Sequence, residues 1–233
     1  MDSSKVLAII PARYASTRFP GKPLALIGGK PMIEHVWHGV NRVSAIDEVV
    51  VATDDDRIAD EVEAFGGFAL MTSPAHQSGT DRCGEVLRRM GDDEYDVVIN
   101  VQGDEPRVAA SQLESLIEAF SDPQVQIATL RKRISRPDER ENPNVVKVDV
   151  GPDGFAIDFS RQPISEYKHV GIYAFRPEVL LQLVELPQSE REISERLEQL
   201  RWMDNGYRIA VCETNVENIG IDTPEDLEKL NVK

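Results

Sequence analysis

The stretch VLAIIPARYASTRFPGKPL, residues 6–24, contains the strand and the loop that decide the fold. Residues 6–10 are uniformly apolar, so they predict a buried strand. The strand leads directly into a loop that contains proline, glycine and three cations, Arg13, Arg18 and Lys22. In a doubly wound α/β sheet, ligands bind at the carboxyl ends of the strands. The loop is therefore a candidate ligand site.

The charge of this loop contrasts with that of the whole chain. The 233 residues carry a formal net charge of −15, whereas residues 3–33 contain five basic residues and no acidic one. A local positive field on an acidic protein indicates a small polyanionic ligand; the alternative is a solvated basic loop. Pro23 follows Gly21-Lys22, so the loop is not a Walker A loop, and it is not a Gly-x-Gly-x-x-Gly fingerprint. We therefore predict that side chains bind the phosphates.

The bulk composition excludes several classes of protein. A pI near 4.7 argues against non-specific binding to nucleic acid or to an anionic membrane. No apolar run approaches the roughly 20 residues that span a bilayer, and the N-terminus shows no secretion signal. Cys83 and Cys212 are far apart in the chain and predict two free thiols. These features predict a cytoplasmic protein without a nucleic-acid or membrane partner.

Short apolar segments alternate with helical patterns, which predicts right-handed βαβ units. The predicted strands are residues 6–10, 48–53, 68–71, 96–101, 126–130, 145–150, 155–160, 169–175 and 207–212. The predicted helices are residues 31–43, 54–66, 78–90, 110–120, 194–205 and 223–230.

The pattern changes after residue 130. A basic segment that ends in proline precedes Gly151-Pro152-Asp153-Gly154, a strong hairpin signal. We therefore predict a mainly parallel, doubly wound α/β sheet with an inserted β-hairpin and helix region. Residues 1–130 and 204–233 would form the α/β domain, and residues 131–203 the insertion.

Three further polar clusters follow predicted strands or open helices. Asp104, in the segment NVQGDEP, can be a hard oxygen ligand for Mg²⁺, although such an aspartate is often a turn former. Asp222, in GIDTPEDL, is either a helix cap or a second metal ligand, because Thr223 can provide the cap. The turn that begins at Ser78 suits a base edge or an anion, and helix capping is an equal alternative.

Other charged groups have simpler explanations. Asp54, Asp55 and Asp56 predict a helix cap in preference to a metal cluster. His35 and His38 lie three residues apart on a predicted helix and indicate surface positions. The pair Arg88-Arg89 and the triplet at residues 131–133 predict solvated faces.

Together, seven motifs resemble one known family. They are PARYASTRFPGKP at residue 11, QSGT at residue 77, NVQGDEP at residue 100, FSR at residue 159, HVGIY at residue 169, LEQLR at residue 197 and GIDTP at residue 220. They occur in the same order in the 3-deoxy-manno-octulosonate (KDO) cytidylyltransferases, or CMP-KDO synthetases, and extend over nearly the whole chain.

The resemblance implies a reaction, in which CTP and KDO give CMP-KDO and pyrophosphate for lipopolysaccharide synthesis. It also implies that Mg²⁺ is bound by Asp104 and Asp222, which are catalytic residues together with Arg13 and Lys22. The implied nucleotide-binding residues are Pro11, Ala12, Arg13, Arg18, Lys22, Ser78, Thr80, Arg82 and Gln102. The implied sugar-binding residues are Gln102, Arg161, Tyr167, His169, Glu198 and Gln199. The insertion is expected to bind the sugar and to form a homodimer contact.

One departure from the family concerns the segment at residues 162–168, which is shorter than usual between the FSR and HVGIY motifs. A natural shortening would open the sugar side of the pocket and change the sugar acid that is accepted; the other explanation is that a mobile loop of the natural protein is missing from the sequence at this point. The alternatives are the same chemistry on 8-amino-KDO or a sialic acid, and a cytidine-nucleotide-binding protein without catalysis.

Overall fold

The computed structural model describes residues 4–16, 19–217, 220–221 and 223–231 of the chain, with side chains as far as residue 228 in the last stretch. The strands are β1 (Val6–Ala12), β2 (Leu26–Ile27), β3 (Lys30–Pro31), β4 (Glu48–Thr53), β5 (Phe68–Met71), β6 (Val97–Asn100), β7 (Ile127–Arg133), β8 (Lys147–Val150), β9 (Ala156–Ser160), β10 (Tyr167–Phe175) and β11 (Ile209–Glu213). The helices are α1 (Met32–Asn41), α2 (Asp56–Ala64), α3 (Gly79–Met90), α4 (Ala110–Ala119), α5 (Pro137–Glu141), α6 (Pro177–Leu183), α7 (Glu190–Glu195), α8 (Gln199–Asp204) and α9 (Pro224–Asn231), with a 3-10 helix over Lys22–Leu24.

The described residues form two compact units, one from Met1–Glu114 with Asn218–Lys233 and one from Ser115–Glu217. In the first unit, β6, β1, β4 and β5 pair in this order, and every pair is parallel. The apolar residues of β1, from Val6 to Ile10, have no exposed surface. Strand β1 is thus the buried strand that the sequence predicted, and its carboxyl end leads into the cationic loop.

In the second unit, β7 pairs in parallel with β11 and antiparallel with β10. Strands β8 and β9 form an antiparallel hairpin, and β8 also pairs with β10. Gly154, with φ of 83°, occupies the predicted turn of this hairpin. The predicted α/β fold with mainly parallel pairing and a β-hairpin is confirmed. The predicted insertion, residues 131–203, lies within this unit, and its role stays a prediction.

Three details of the prediction were wrong. The single helix over residues 194–205 is two helices, α7 and α8, because Arg196 adopts a left-handed conformation with φ of 55°. The basic triplet at residues 131–133 is not simply a solvated face, because it lies at the end of β7. There Arg131 pairs with Glu213 at 3.2 Å, and Lys132 pairs with Glu217 at 3.0 Å. Helices α5 and α6 were not predicted.

Candidate active site

The cationic loop after β1 is a closed turn. The Gly21 N–H donates to the Tyr14 carbonyl at 2.9 Å, and Gly21 has a left-handed φ of 72°. A Cβ atom at Gly21 would lie 3.0 Å from Cζ of Tyr14, so glycine is required for both conformation and space. The Arg57 guanidinium lies over the Tyr14 ring, 3.3 Å from its centroid. The loop is therefore held at its two ends.

The described cations of the loop differ in their surroundings. Arg13 is exposed, and in the part of the chain that the structure describes its side chain has no hydrogen bond or ion pair. Lys22 is 15% exposed at its side chain, and its Nζ atom lies 2.6 Å from Oδ2 of Asp104. Arg18 lies outside the described residues. The loop thus combines an open cation with one that already binds a carboxylate.

The segment with Asp104 lies against the loop and against the chain before α9. A Cβ atom at Gly103 would lie 2.8 Å from the Pro11 carbonyl oxygen, so the two backbones are in close contact. The N–H of the buried Ile221 donates to the Asp104 carbonyl at 3.2 Å. Asp222, which follows Ile221, lies outside the described residues. Segments from three distant parts of the sequence therefore meet at Asp104.

The surroundings of Asp104 fit a divalent cation. The Asp104 side chain is three-quarters buried and carries a carboxylate, which is a hard ligand, and its Oδ2 atom contacts the Lys22 ammonium. Among the described residues, no group of three or more His, Cys, Asp or Glu side chains is arranged to bind a metal. Asp104 could therefore hold a cation that substrate oxygens also coordinate, which is usual for Mg²⁺.

The turn at the start of α3 adjoins the same strand ends. The Ser78 hydroxyl accepts the Asp81 N–H at 3.0 Å, and the Asp81 carboxylate accepts the Ser78 N–H at 3.1 Å, a capping box. A Cβ atom at Gly79 would lie 3.5 Å from Cγ of Pro11 and 3.7 Å from Nδ2 of Asn100. The turn therefore packs between β1 and β6, where the sequence predicted the base. The capping role of Ser78, which was the alternative, is present.

Arg82 occupies an internal position. Its side chain is 4% exposed, and it donates to the Thr72 hydroxyl and, at 3.1 Å, to the Asp54 carboxylate. Asp55 is the cap of α2 and accepts the Arg57 N–H at 3.1 Å, as the sequence predicted for this acidic triplet. Arg82 thus binds the protein itself. Its predicted contact with the nucleotide stays a prediction.

Three of the predicted sugar-binding residues, Arg161, Glu198 and Gln199, lie at the junction of α7 and α8. Arg161 donates from all three of its nitrogens, to the Glu195 carbonyl at 2.8 Å, the Pro143 carbonyl at 3.0 Å and the Arg196 carbonyl at 3.4 Å. These bonds stabilise the turn that precedes Glu198. The carboxylate of Glu198 accepts from Arg201 at 3.0 Å. In this arrangement Arg161 binds the chain.

Gln199, Tyr167 and Gln102 are also among the predicted sugar-binding residues. Gln199 is 5% exposed at the start of α8. The Tyr167 ring lies 4.2 Å from the Arg131 guanidinium. Gln102 belongs to the first unit, in the turn that contains Asp104, and its carbonyl accepts the Glu105 N–H at 3.1 Å.

His169 is a neutral group. Its Nε2 atom lies 2.9 Å from the Thr129 hydroxyl, and its ring packs edge-on against Phe159 with centroids 5.1 Å apart. Burial lowers the pKa of His169 to about 3. A neutral imidazole suits a hydroxyl partner, which is the role that the sequence favoured over a general base.

Sequence reasoning missed part of the aromatic cluster around His169. The Tyr173 ring lies 5.3 Å from the His169 ring and 5.0 Å from the Trp202 ring. Residues four apart on a regular strand would be too distant for this contact. The register of β10 shifts between Val170 and Tyr173, and that irregularity brings the rings together. The glycine at position 171 was the signal that could have indicated it.

Comparison with known proteins identifies the family. The family model described as cytidylyltransferase matches residues 7–209. A 3-deoxy-manno-octulosonate cytidylyltransferase from Parabacteroides distasonis is 49% identical over 97% of this chain and 96% of that protein. One from Geobacter sulfurreducens is 45% identical over 97% of each chain. This chain belongs to the 3-deoxy-manno-octulosonate cytidylyltransferase family.

Solved structures agree with this assignment. The structure of a CMP:2-keto-3-deoxy-manno-octonic acid synthetase complexed with CTP matches with a TM-score of 0.93 and 45% identity over 98% of each chain. A 4-diphosphocytidyl-2C-methyl-D-erythritol synthase from Anaerococcus prevotii matches with a TM-score of 0.66 at 18% identity over 99% of this chain and 98% of that one, which shows a shared fold only.

Two further observations bear on the family member described here. The alignment with the P. distasonis protein extends over 244 positions, more than the 233 residues of this chain, so that relative contains residues that this chain lacks. Within the part of the chain that the structure describes, every helix is too short or too polar to cross a lipid bilayer.

Proposed function

We propose that this protein transfers the CMP group of CTP to the 2-hydroxyl of KDO, which gives CMP-KDO and releases pyrophosphate. The observation that carries the proposal is the 2.6 Å contact between Lys22 and Asp104, at the point where the Ile221 N–H binds the Asp104 carbonyl. The contact joins the predicted phosphate-binding loop to the predicted metal ligand. Relatives that match over nearly their whole length, and that are named 3-deoxy-manno-octulosonate cytidylyltransferase, support the choice of substrates.

The residues of the first unit suit a triphosphate. Lys22 provides a point charge, and the exposed Arg13 provides a planar guanidinium that can bind phosphate oxygens in pairs. The pyrophosphate gains negative charge as it leaves, so both cations would stabilise the transition state more than the bound substrate. Arg18 belongs to the same loop and is proposed to act with them.

The turn Ser78–Thr80 is proposed to hold the cytosine. It packs on Pro11 at the end of β1, so a base bound there would lie beside the loop that holds the phosphates. Fixed positions for the base and for the triphosphate orient the α-phosphorus for in-line attack, which lowers the entropic part of the barrier.

Asp104, and Asp222 by family resemblance, are proposed to hold Mg²⁺. When bound, the ion would neutralise phosphate charge and lower the pKa of the attacking hydroxyl. In the second unit, the neutral His169 is proposed to exchange a hydrogen bond with a sugar hydroxyl, and the carboxylate of Glu198 is proposed to accept one from another hydroxyl. A cytoplasmic homodimer is part of the proposal, and Ile157 and Ile193, each about 60% exposed in the second unit, are candidates for its contact.

A continuous assay of pyrophosphate release tests the function. CTP with KDO and Mg²⁺ should release pyrophosphate, and chelation of the metal should stop the release. Release with a sialic acid but not with KDO would overturn the substrate assignment. Residues 161–166 form only a short turn between β9 and β10, and a short segment there is expected to change which sugar acid is accepted. The same assay should therefore also include 8-amino-KDO.

A further inference from the structure

The segment that leads into the proposed base-binding turn is bound to one carboxylate, that of Glu85 on α3. Glu85 accepts the Ser73 N–H at 2.8 Å and contacts Nε2 of His76 at 2.5 Å. Arg89, one turn further along α3, donates to its other oxygen. The side chains of Glu85 and His76 are each about 20% exposed. The carboxylate therefore forms a largely buried connection between α3 and the segment before it.

Hydrogen bonds at both ends of this segment connect it to the described parts of β4 and α3. At the start, the Thr72 N–H donates to the Thr53 carbonyl at 2.7 Å, which continues the pairing of β5 with β4. At the end, the capping box of Ser78 and Asp81 fixes the first turn of α3. Between these points, the two contacts of Glu85 are the hydrogen bonds that connect residues 73–76 to the body of α3.

Glu85 remains ionised in this position. Burial raises the pKa of the carboxyl group, but the Ser73 N–H, the His76 side chain and the charge of Arg89 lower it by more, so the net pKa is below its usual range. An ionised carboxylate that accepts several donors is a strong acceptor, and such bonds resist a shift of the segment.

We propose that Glu85 and His76 are positioning residues for cytidine, which hold the turn Ser78–Thr80 at the distance from Pro11 that the base requires. This inference rests on the proposed function. Neither side chain needs to touch the nucleotide. Because a Cβ atom at Gly79 would lie only 3.5 Å from Cγ of Pro11, the turn is close to Pro11, and a small displacement of the segment would change the space that the base occupies.

The alternative is that Glu85 and His76 only contribute to stability. If Glu85 and His76 contribute only to stability, their replacement lowers the fraction of folded enzyme. The measured rate then falls to the same extent whether CTP or the sugar acid is the varied substrate. A positioning role would raise KM for CTP while KM for the sugar acid and kcat stay near those of the wild type. The ratio of the two KM values therefore separates the explanations.

The test uses Glu85→Gln, His76→Ala and His76→Gln in the full chain, with Glu34→Gln as the matched control. Glu34 on α1 likewise contacts a histidine, His38 at 3.4 Å, and a cation, Lys30 at 2.6 Å, but its helix does not carry the turn. We expect KM for CTP to rise about tenfold in Glu85→Gln and His76→Ala, with a matching loss of CTP affinity by titration calorimetry. Glu34→Gln should change neither.

His76→Gln is the rescue variant, because its side-chain amide can still donate to Glu85. It should retain a KM for CTP within about threefold of the wild type. The proposal would be overturned by equal KM values for CTP in all variants, or by equal effects of His76→Gln and His76→Ala. The proposed function would still stand in that case, provided that the wild-type protein turns over. A wild-type protein that releases no pyrophosphate would instead contradict the function. Thermal denaturation confirms that each variant is folded before its kinetics are compared.

Discussion

Replacement of Arg82 by methionine should destabilise the protein, because the guanidinium of Arg82 is part of a buried ion pair. Its side chain is 4% exposed, and that of its partner Asp54 is 14% exposed, with 3.1 Å between the charged atoms. Methionine fills a similar volume but leaves the Asp54 carboxylate and the Thr72 hydroxyl without this partner. The sequence predicted that Arg82 binds the nucleotide, so the stability and CTP affinity of this variant distinguish that role from a structural one.

The size of the effect follows from the burial of the pair. Removal of one partner of a buried ion pair costs about 3–5 kcal/mol, because the other charge stays buried without compensation. In a chain of this size that loss corresponds to a decrease of about 10 °C in Tm. If Asp54→Asn is added, the uncompensated charge disappears and part of the loss should be recovered, by about 1–2 kcal/mol.

The assay is urea denaturation of Arg82→Met, of the double variant with Asp54→Asn, and of Arg89→Met as the control on the same helix. The Arg89 side chain is 47% exposed, so its replacement should cost at most about 1 kcal/mol. A stability of Arg82→Met within 1 kcal/mol of the wild type, together with a loss of CTP affinity, would refute the reasoning. Arg82 would then bind the nucleotide, as the sequence predicted.

Four other outcomes can be checked with the same proteins. Asp104→Asn should lower Mg²⁺-dependent turnover at least about a hundredfold and leave CD spectra unchanged, and near-normal kcat would rule out its metal role. Arg13→Ala should raise KM for CTP and lower kcat, whereas an unchanged CTP profile would remove Arg13 from the site. Gly103→Ala should lower the free energy of unfolding in urea by about 1–3 kcal/mol, because the added methyl group would lie 2.8 Å from a carbonyl oxygen; wild-type stability would contradict the close contact. The folded-state pKa of His169 is about 3 and the unfolded value is about 6.5, so only the unfolded state gains a proton between these values. Stability should therefore decrease as the pH is lowered from about 6.5 to about 3, and less so in His169→Gln; parallel curves for the two proteins would contradict this.

Local patterns of the sequence were sufficient for most of the first unit. Strands β4 and β5 begin and end at the predicted residues, and the first turn of α3 has the predicted cap. These features depend on neighbouring residues, such as alternating apolar side chains or a serine three positions before an acid. The carboxyl-end rule also predicted that the cationic loop and Asp104, 82 residues from Lys22, lie together.

The errors occurred where a distant side chain decides the local conformation. The predicted helix over residues 194–205 ends early at Arg196, where the donors of Arg161 bind the Glu195 and Arg196 carbonyls. Nothing near residue 196 in the sequence indicates this, because Arg161 is 35 residues away. The contacts of Arg82 were hidden for the same reason, since its partner Asp54 lies 28 residues away, between β4 and α2.

The contact between Lys22 and Asp104 has a consequence for how ligands enter. An acidic chain must accept a nucleotide that is itself strongly negative, and an uncompensated aspartate at the entrance would repel it. In the pair, the lysine screens that repulsion. If the two ligands bind as proposed, a triphosphate that attracts Lys22 would release Asp104 for a divalent ion, and an ion that occupies Asp104 would release Lys22 for the triphosphate. Each ligand would then prepare the place of the other, so the proposal implies that their affinities rise together.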